Sequence, residues 1–87
     1  SLYDPELLDH VKVFPNPTSD FVHVEIDDKY DFESLQIVDV RGRVVVYDGN
    51  LMGFRNKRYN ISSLTEGYHL VRMFTGKGEI SIPIVKY

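Results

Sequence analysis

Signals for chain reversal recur along this sequence at intervals that leave room only for short strands. Phe14-Pro15-Asn16-Pro17-Thr18 precedes one apolar run, Asp39-Val40-Arg41-Gly42 splits two others, and Ser63-Leu64-Thr65-Glu66-Gly67 and Gly76-Lys77-Gly78 bracket the longest. Proline fixes φ and removes a ladder donor, glycine supplies the positive φ of tight turns, and an Asp carboxylate accepts nearby backbone N–H groups. Between the breaks the apolar residues alternate: Val22, Val24 and Ile26 stand on one face, Phe21, His23 and Glu25 on the other. That is the period of a half-buried strand. The chain has no alanine and draws its apolar residues from Val, Ile, Tyr and Phe, which favours sheet over helix.

The pattern predicts an all-β fold, an immunoglobulin-like β-sandwich of about seven short antiparallel strands, with a small barrel as the alternative. At 87 residues the chain is one domain burying roughly 60–70% of its extended surface, enough for one thin core. Cysteine and tryptophan are absent, so neither the immunoglobulin disulfide nor its buried Trp is available and the likeness is architectural. Residues 1–10 carry one apolar pair, Leu7-Leu8, and read as the end of a linker, with the domain occupying residues 11–87. A first residue that is Ser rather than Met fits a piece of a longer precursor.

Val11 to Phe14 reads as a strand stopped by two prolines. Leu35, Ile37 and the Val38/Val40 pair mark a strand that turns at 39–42 and returns from Arg43 to Tyr47. Residues 48–58 read as a loop or irregular edge, 59–61 as a short strand, and 62–67 as a single helical turn capped by Ser and ended by Gly67. Tyr68 to Thr75 is apolar on both faces except at Arg72, as a central strand is. Residues 79–86 close the sheet, with Ile80, Ile82 and Ile84 on one face and Pro83 requiring an edge position.

Candidate chemistry is sparse. His10, His23 and His69 fall on separate elements without ligand spacing, so no metal centre is expected from them. Asp27, Asp28, Asp31 and Glu33 crowd one loop, a set that allows weak Ca²⁺ binding, but the glycine and ligand spacing of an EF-hand are missing, and a solvated loop is the simpler reading. No serine has a nucleophile-elbow context. The chain therefore reads as non-enzymatic, with no catalytic residues and no cofactor. Arg55, Lys57 and Arg58 beside Phe54 and Tyr59 are too few cations, in an acidic protein, to make a nucleic-acid site. Tyr30, Phe32, Tyr47, Phe54 and Tyr59 lie near loops, where they either plug the ends of the core or offer a sugar-binding face. No run is long enough to span a bilayer as a helix.

Charge is divided along the chain. Residues 1–40 carry ten Asp/Glu against Lys12 and Lys29, a net of −8, whereas residues 41–87 carry eight Lys/Arg against three acids, a net of +5. In a sandwich whose first and last strands lie side by side the simpler reading is that the halves neutralise each other across the fold, and the sharper one is a dipolar docking surface.

The turn phrases, in this order, resemble the C-terminal sorting domain of proteins exported by the type IX secretion system of Gram-negative bacteria, type A. The aromatic-Pro-Asn-Pro opening matches Phe14, Pro15, Asn16 and Pro17; the middle phrase matches Asp39, Gly42, Arg43 and Val45. The Leu-x-x-Gly turn and Val-Arg strand match Leu64, Gly67, Val71 and Arg72, and the final Ile-Val-Lys matches Ile84, Val85 and Lys86. The family places Tyr two residues after the turn glycine, where this chain has His69, with Tyr68 one place earlier.

The resemblance implies a domain that directs an upstream cargo of the same chain across the outer membrane. Its partners would be the secretion translocon and a sortase-like peptidase that removes it at the preceding linker. Its route would run through the periplasm to the cell surface or beyond. Because an edge strand offers unpaired backbone groups, the expected recognised segment is the closing strand, with Ile82, Ile84, Val85 and Lys86 as its residues. Pro15, Asn16, Pro17, Asp39, Gly42, Arg43, Leu64 and Gly67 are expected to set turns. An adhesion or carbohydrate-binding sandwich is the alternative from a different class.

Overall fold

The structure, a computed structural model, describes residues 5–27 and 31–87. The first residues of the expected linker and residues 28–30 of the acidic loop lie outside them. Seven strands form two antiparallel sheets: β1 (Val11–Phe14), β2 (Phe21–Ile26), β3 (Ser34–Val38), β4 (Val44–Asp48), β5 (Asn56–Asn60), β6 (Gly67–Phe74) and β7 (Glu79–Lys86). The sheet orders are β1-β2-β5 and β4-β3-β6-β7. The all-β sandwich is as expected. Its first and last strands, however, belong to different sheets, and the acidic half meets the basic half through ion pairs such as Asp31–Arg55 at 3.0 Å and Asp39–Arg43 at 2.9 Å.

One apolar layer holds the sheets together. Val22, Val24 and Ile26 from β2 face Leu35, Ile37, Val71, Met73, Ile80 and Ile84 from the other sheet, all at 5% exposure or less. Phe32, Leu51 and Ile61 enter from loops and close the ends of this layer. Phe32 thus plugs the core, whereas Tyr47 and Phe54 remain on the surface, the latter with the Lys57 ammonium 4.0 Å above its ring. Burying a side chain of Leu, Ile or Phe size contributes about 1.5–3 kcal/mol, so these loop residues matter as much as strand residues.

Four local readings are corrected. Residues 5–10, expected to carry no element, form a 3-10 helix that packs against β1 and β7, with Leu8 against the core. Val40 is not a strand residue; it stands in the turn, 79% exposed. The strand expected at 59–61 starts at Asn56, inside the stretch read as a loop. Lys57 and Tyr59 fill its inward positions with apolar bodies while their polar heads reach Asp48, at 2.9 and 2.7 Å. Residues 62–67 make a turn, not a helical one: Leu64 N–H donates to Ile61 C=O, and the Asn60 side chain accepts from Ser62 N–H.

The expected central and edge strands hold their places. β6 lies between β3 and β7, and β7 is an edge. Pro83 is exposed there opposite Leu70, so its missing N–H removes no bond within the sheet.

Candidate functional site: the end where the turn phrases meet

The four phrases are scattered in sequence but gather at one end of the sandwich. Antiparallel pairing sets Gly67 opposite Lys86, and Val38, just before the middle turn, opposite Leu70, which is itself opposite Pro83. The middle turn and the ends of β6 and β7 thereby become neighbours.

The opening phrase joins them through hydrogen bonds. Between two prolines that cannot donate, Asn16 turns its side-chain amide onto the outer edge of β7: Nδ2 donates to Pro83 C=O at 3.1 Å, and Oδ1 accepts from Val85 N–H at 3.0 Å. The amide stands in for a peptide group. Thr18 continues the contact with backbone, its N–H donating to Val85 C=O at 2.9 Å and its C=O accepting from Tyr87 N–H at 2.8 Å, a short parallel bridge. Thr18 is 3% exposed and its hydroxyl donates to Phe21 C=O. The edge of β7 expected to be open is therefore occupied at Pro83, Val85 and Tyr87.

The middle turn is held by one carboxylate. Asp39 Oδ1 accepts from the N–H groups of Arg41 and Arg43 at 2.9 and 3.0 Å, while Oδ2 accepts from Arg43 Nε at 2.9 Å. Gly42 sits at φ 82°, in the left-handed region that a residue without a Cβ adopts free of strain, and its N–H donates to Asp39 C=O at 2.9 Å. The backbone N–H of Arg43, against the opposing effect of desolvation and together with the Arg43 guanidinium, holds the Asp39 carboxyl below its ordinary range.

The sequence-predicted residues divide by orientation. Ile84 is wholly buried and Lys86 is 7% exposed, its Nζ donating to Tyr87 C=O at 2.6 Å. Ile82 is half-buried against the core and Val85 half-buried on the other face. Leu64 packs against the core, and Gly67 has φ 116°. His69 is 3% exposed; its Nδ1 lies 3.2 Å from Gly67 C=O, and its Nε2 has no hydrogen-bond partner among the described residues. Thr18, which closes the opening phrase, and Tyr87, beside Lys86, carry no site assignment in the sequence reading. In the acidic loop, Asp27 lies 2.7 Å from His10 Nδ1 and Asp31 is paired with Arg55, while Asp28 is outside the described residues. No group of three metal-ligating side chains occurs among the described residues.

Two antiparallel sheets packed on one apolar layer, with Asn16 and Thr18 bonded to the edge of β7, define a small all-β sandwich domain. The chain belongs to the family of secretion system C-terminal sorting domains, whose model matches residues 12–86. It carries the type IX signal of that family. Among solved structures it is similar to PorZ, described as an essential bacterial surface component of the type-IX secretion system of the human oral-microbiomic Porphyromonas gingivalis. The likeness has a TM-score of 0.73 at 20% identity and covers 95% of this chain but 12% of the PorZ chain. At that identity it bears on the fold alone. The search of curated proteins gave no match.

Proposed function

We propose that the domain is a folded, non-catalytic address that takes a cargo of the same chain through the periplasm and across the outer membrane to the cell surface or the medium. A sortase-like peptidase then removes it near residues 1–10. The observation that carries this reading is the junction of the first and last phrases: Asn16 and Thr18 bind the outer edge of residues 83–87. Phrases that set separate turns have no reason to occur as a set; phrases that build one surface do.

In this reading the machinery reads the closing strand as part of that surface. Val85 and the 66% exposed Tyr87 face outward, while Ile82, Ile84 and Lys86 fix the strand from within. No unpaired edge is needed at residues 83–87.

Fusion of residues 1–87 to an inert reporter, expressed in a bacterium with a type IX system, tests the proposal. Reporter should appear outside the cell, with a mass showing loss of residues 11–87. Reporter held in the periplasm counts against the address. Export with the domain retained and binding glycans would favour an adhesive module.

A further inference from the structure

The outward face of the four-stranded sheet carries a second apolar cluster, separate from the layer between the sheets. Register places Val44 opposite Val38, Val38 opposite Leu70, and Leu70 opposite Pro83, a row crossing all four strands. Val38 is 6% exposed yet stands outside the inter-sheet core, so it forms the floor of this cluster. Around it Val40 is 79% exposed, Tyr68 67%, Val44 50% and Leu70 39%. Val38, Val40, Tyr68 and Leu70 border an open cavity of about 340 Å³ between the turn at residues 39–43, the start of β6 and the C-terminal half of β7 at Pro83. Single exposed apolar residues are ordinary; a contiguous group around a buried floor marks a contact surface.

The turn beside it is basic, with Arg41 between the lining residues Val40 and Gly42 and Arg43 directly after. Among the described residues Asp39 is the one acid lining the cavity, and its carboxylate is already bound by Arg43 and two backbone N–H groups. Arg43 uses Nε for that contact and its side chain stays 68% exposed. The exposed Arg41 side chain has no partner among the described residues. Guanidinium groups beside an apolar cavity match a large apolar side chain with carboxylates next to it, because the planar fork binds carboxylate in bidentate fashion.

We propose that this cavity is the docking site for an extended segment of a partner protein that carries a large apolar side chain flanked by Asp or Glu. The apolar side chain rests on Val38 between Val40, Tyr68 and Leu70, and the carboxylates meet Arg41 and Arg43. The proposal rests on the address reading, since it names the chemistry of what the address is read by.

Two arms test it. In the first, the isotope-labelled 87-residue chain is titrated with an acidic hexapeptide holding Leu-Phe between Glu-Asp and Asp-Glu pairs. The expected result is a set of chemical-shift changes centred on Val40, Tyr68 and Leu70, with affinity weakened about tenfold by Val40→Asp and by Arg41→Glu. No shift, equal binding of the same peptide with lysines for its acids, or binding of phosphatidylglycerol vesicles in place of the peptide overturns the proposal. In the second arm the reporter fusion carries each substitution, and its melting is measured. Both positions are exposed, so the melting temperature should hold while export falls. If the unsubstituted fusion is exported and both variants are exported equally well, the docking site is wrong and the address stands. If the unsubstituted fusion is not exported, the address reading fails and the titration alone decides the docking site.

Discussion

Replacing Asn16 by Ala removes both side-chain bonds to β7 and touches no core residue, which makes it the sharpest probe of the junction. Each net hydrogen bond contributes about 0.5–1.5 kcal/mol. Asn16 is exposed, so water can reach the orphaned Pro83 C=O and Val85 N–H, and the lower half of that range applies. The expected loss is about 1–2 kcal/mol, and at about 4–8 °C per kcal/mol for a domain of this size it lowers the melting temperature by roughly 4–16 °C. The readout that isolates the mechanism is amide hydrogen exchange. Val85 N–H should lose protection, whereas the amide of Val71 in central β6 should change only with global stability. Asn16→Asp is a control: it keeps an acceptor for Val85 N–H but sets a second oxygen against Pro83 C=O, and should not restore wild-type melting. An unchanged melting temperature in Asn16→Ala, with Val85 protection intact, would refute the claim that this amide acts as a surrogate strand.

Three further perturbations follow from the same geometry. Asp39→Asn removes a carboxylate whose pKa is depressed on folding, first by the Arg43 N–H, so its stabilisation is present above the ordinary value of about 4 and is lost as pH falls through the folded value; the variant should melt lower at pH 6 and show a shallower fall in stability on acidification. Gly67→Ala meets no atom within 4 Å but imposes φ 116° on a side-chain-bearing residue, a strain of about 1–3 kcal/mol, and an unmoved urea midpoint would contradict it. Tyr59→Phe removes the hydroxyl donated to Asp48 at 2.7 Å, with an expected cost of about 1–2 kcal/mol in urea titration. In the unsubstituted protein the Tyr59 hydroxyl, whose pKa is pushed up by desolvation and then by the Asp48 carboxylate, should stay protonated through pH 10 in ultraviolet titration.

What was legible in sequence was local. The alternation of Val22, Val24 and Ile26 survives intact as the inward face of β2, and the Asp39 turn forms with the expected carboxylate and glycine roles. Pro83 marked an edge because the absence of a donor is a property of the residue itself. β5 was misread because Lys57 and Tyr59 count as polar in any pattern, although their stems pack like apolar residues and their heads are satisfied by Asp48 nine and eleven positions away. Ser62 reads as a cap in sequence, whereas Asn60, two residues earlier, supplies the accepting oxygen. The Asn16 contact left no signature at all: a side-chain amide bonding backbone across 67 and 69 positions has neither period nor composition to betray it.

That long separation also bears on what an address of this kind requires. The segment at residues 15–18 is rigid and donor-poor, and it has little to pair with until β7 is in place. β7 without it would present Pro83 C=O, both backbone groups of Val85 and the Tyr87 N–H as an unprotected edge, the kind of surface that pairs indiscriminately with other chains. Each half therefore protects the other, and the surface they share exists only in the completed fold. Removing residues 82–87 deletes the buried Ile84, uncovers β6 and strands Asn16 at once, so lost export in such a truncation would report unfolding as readily as lost recognition. Exposed positions on the same end, Val40 and Arg41, support neither the core nor the junction through their side chains, and only substitutions of that kind separate the folding of the address from its reading.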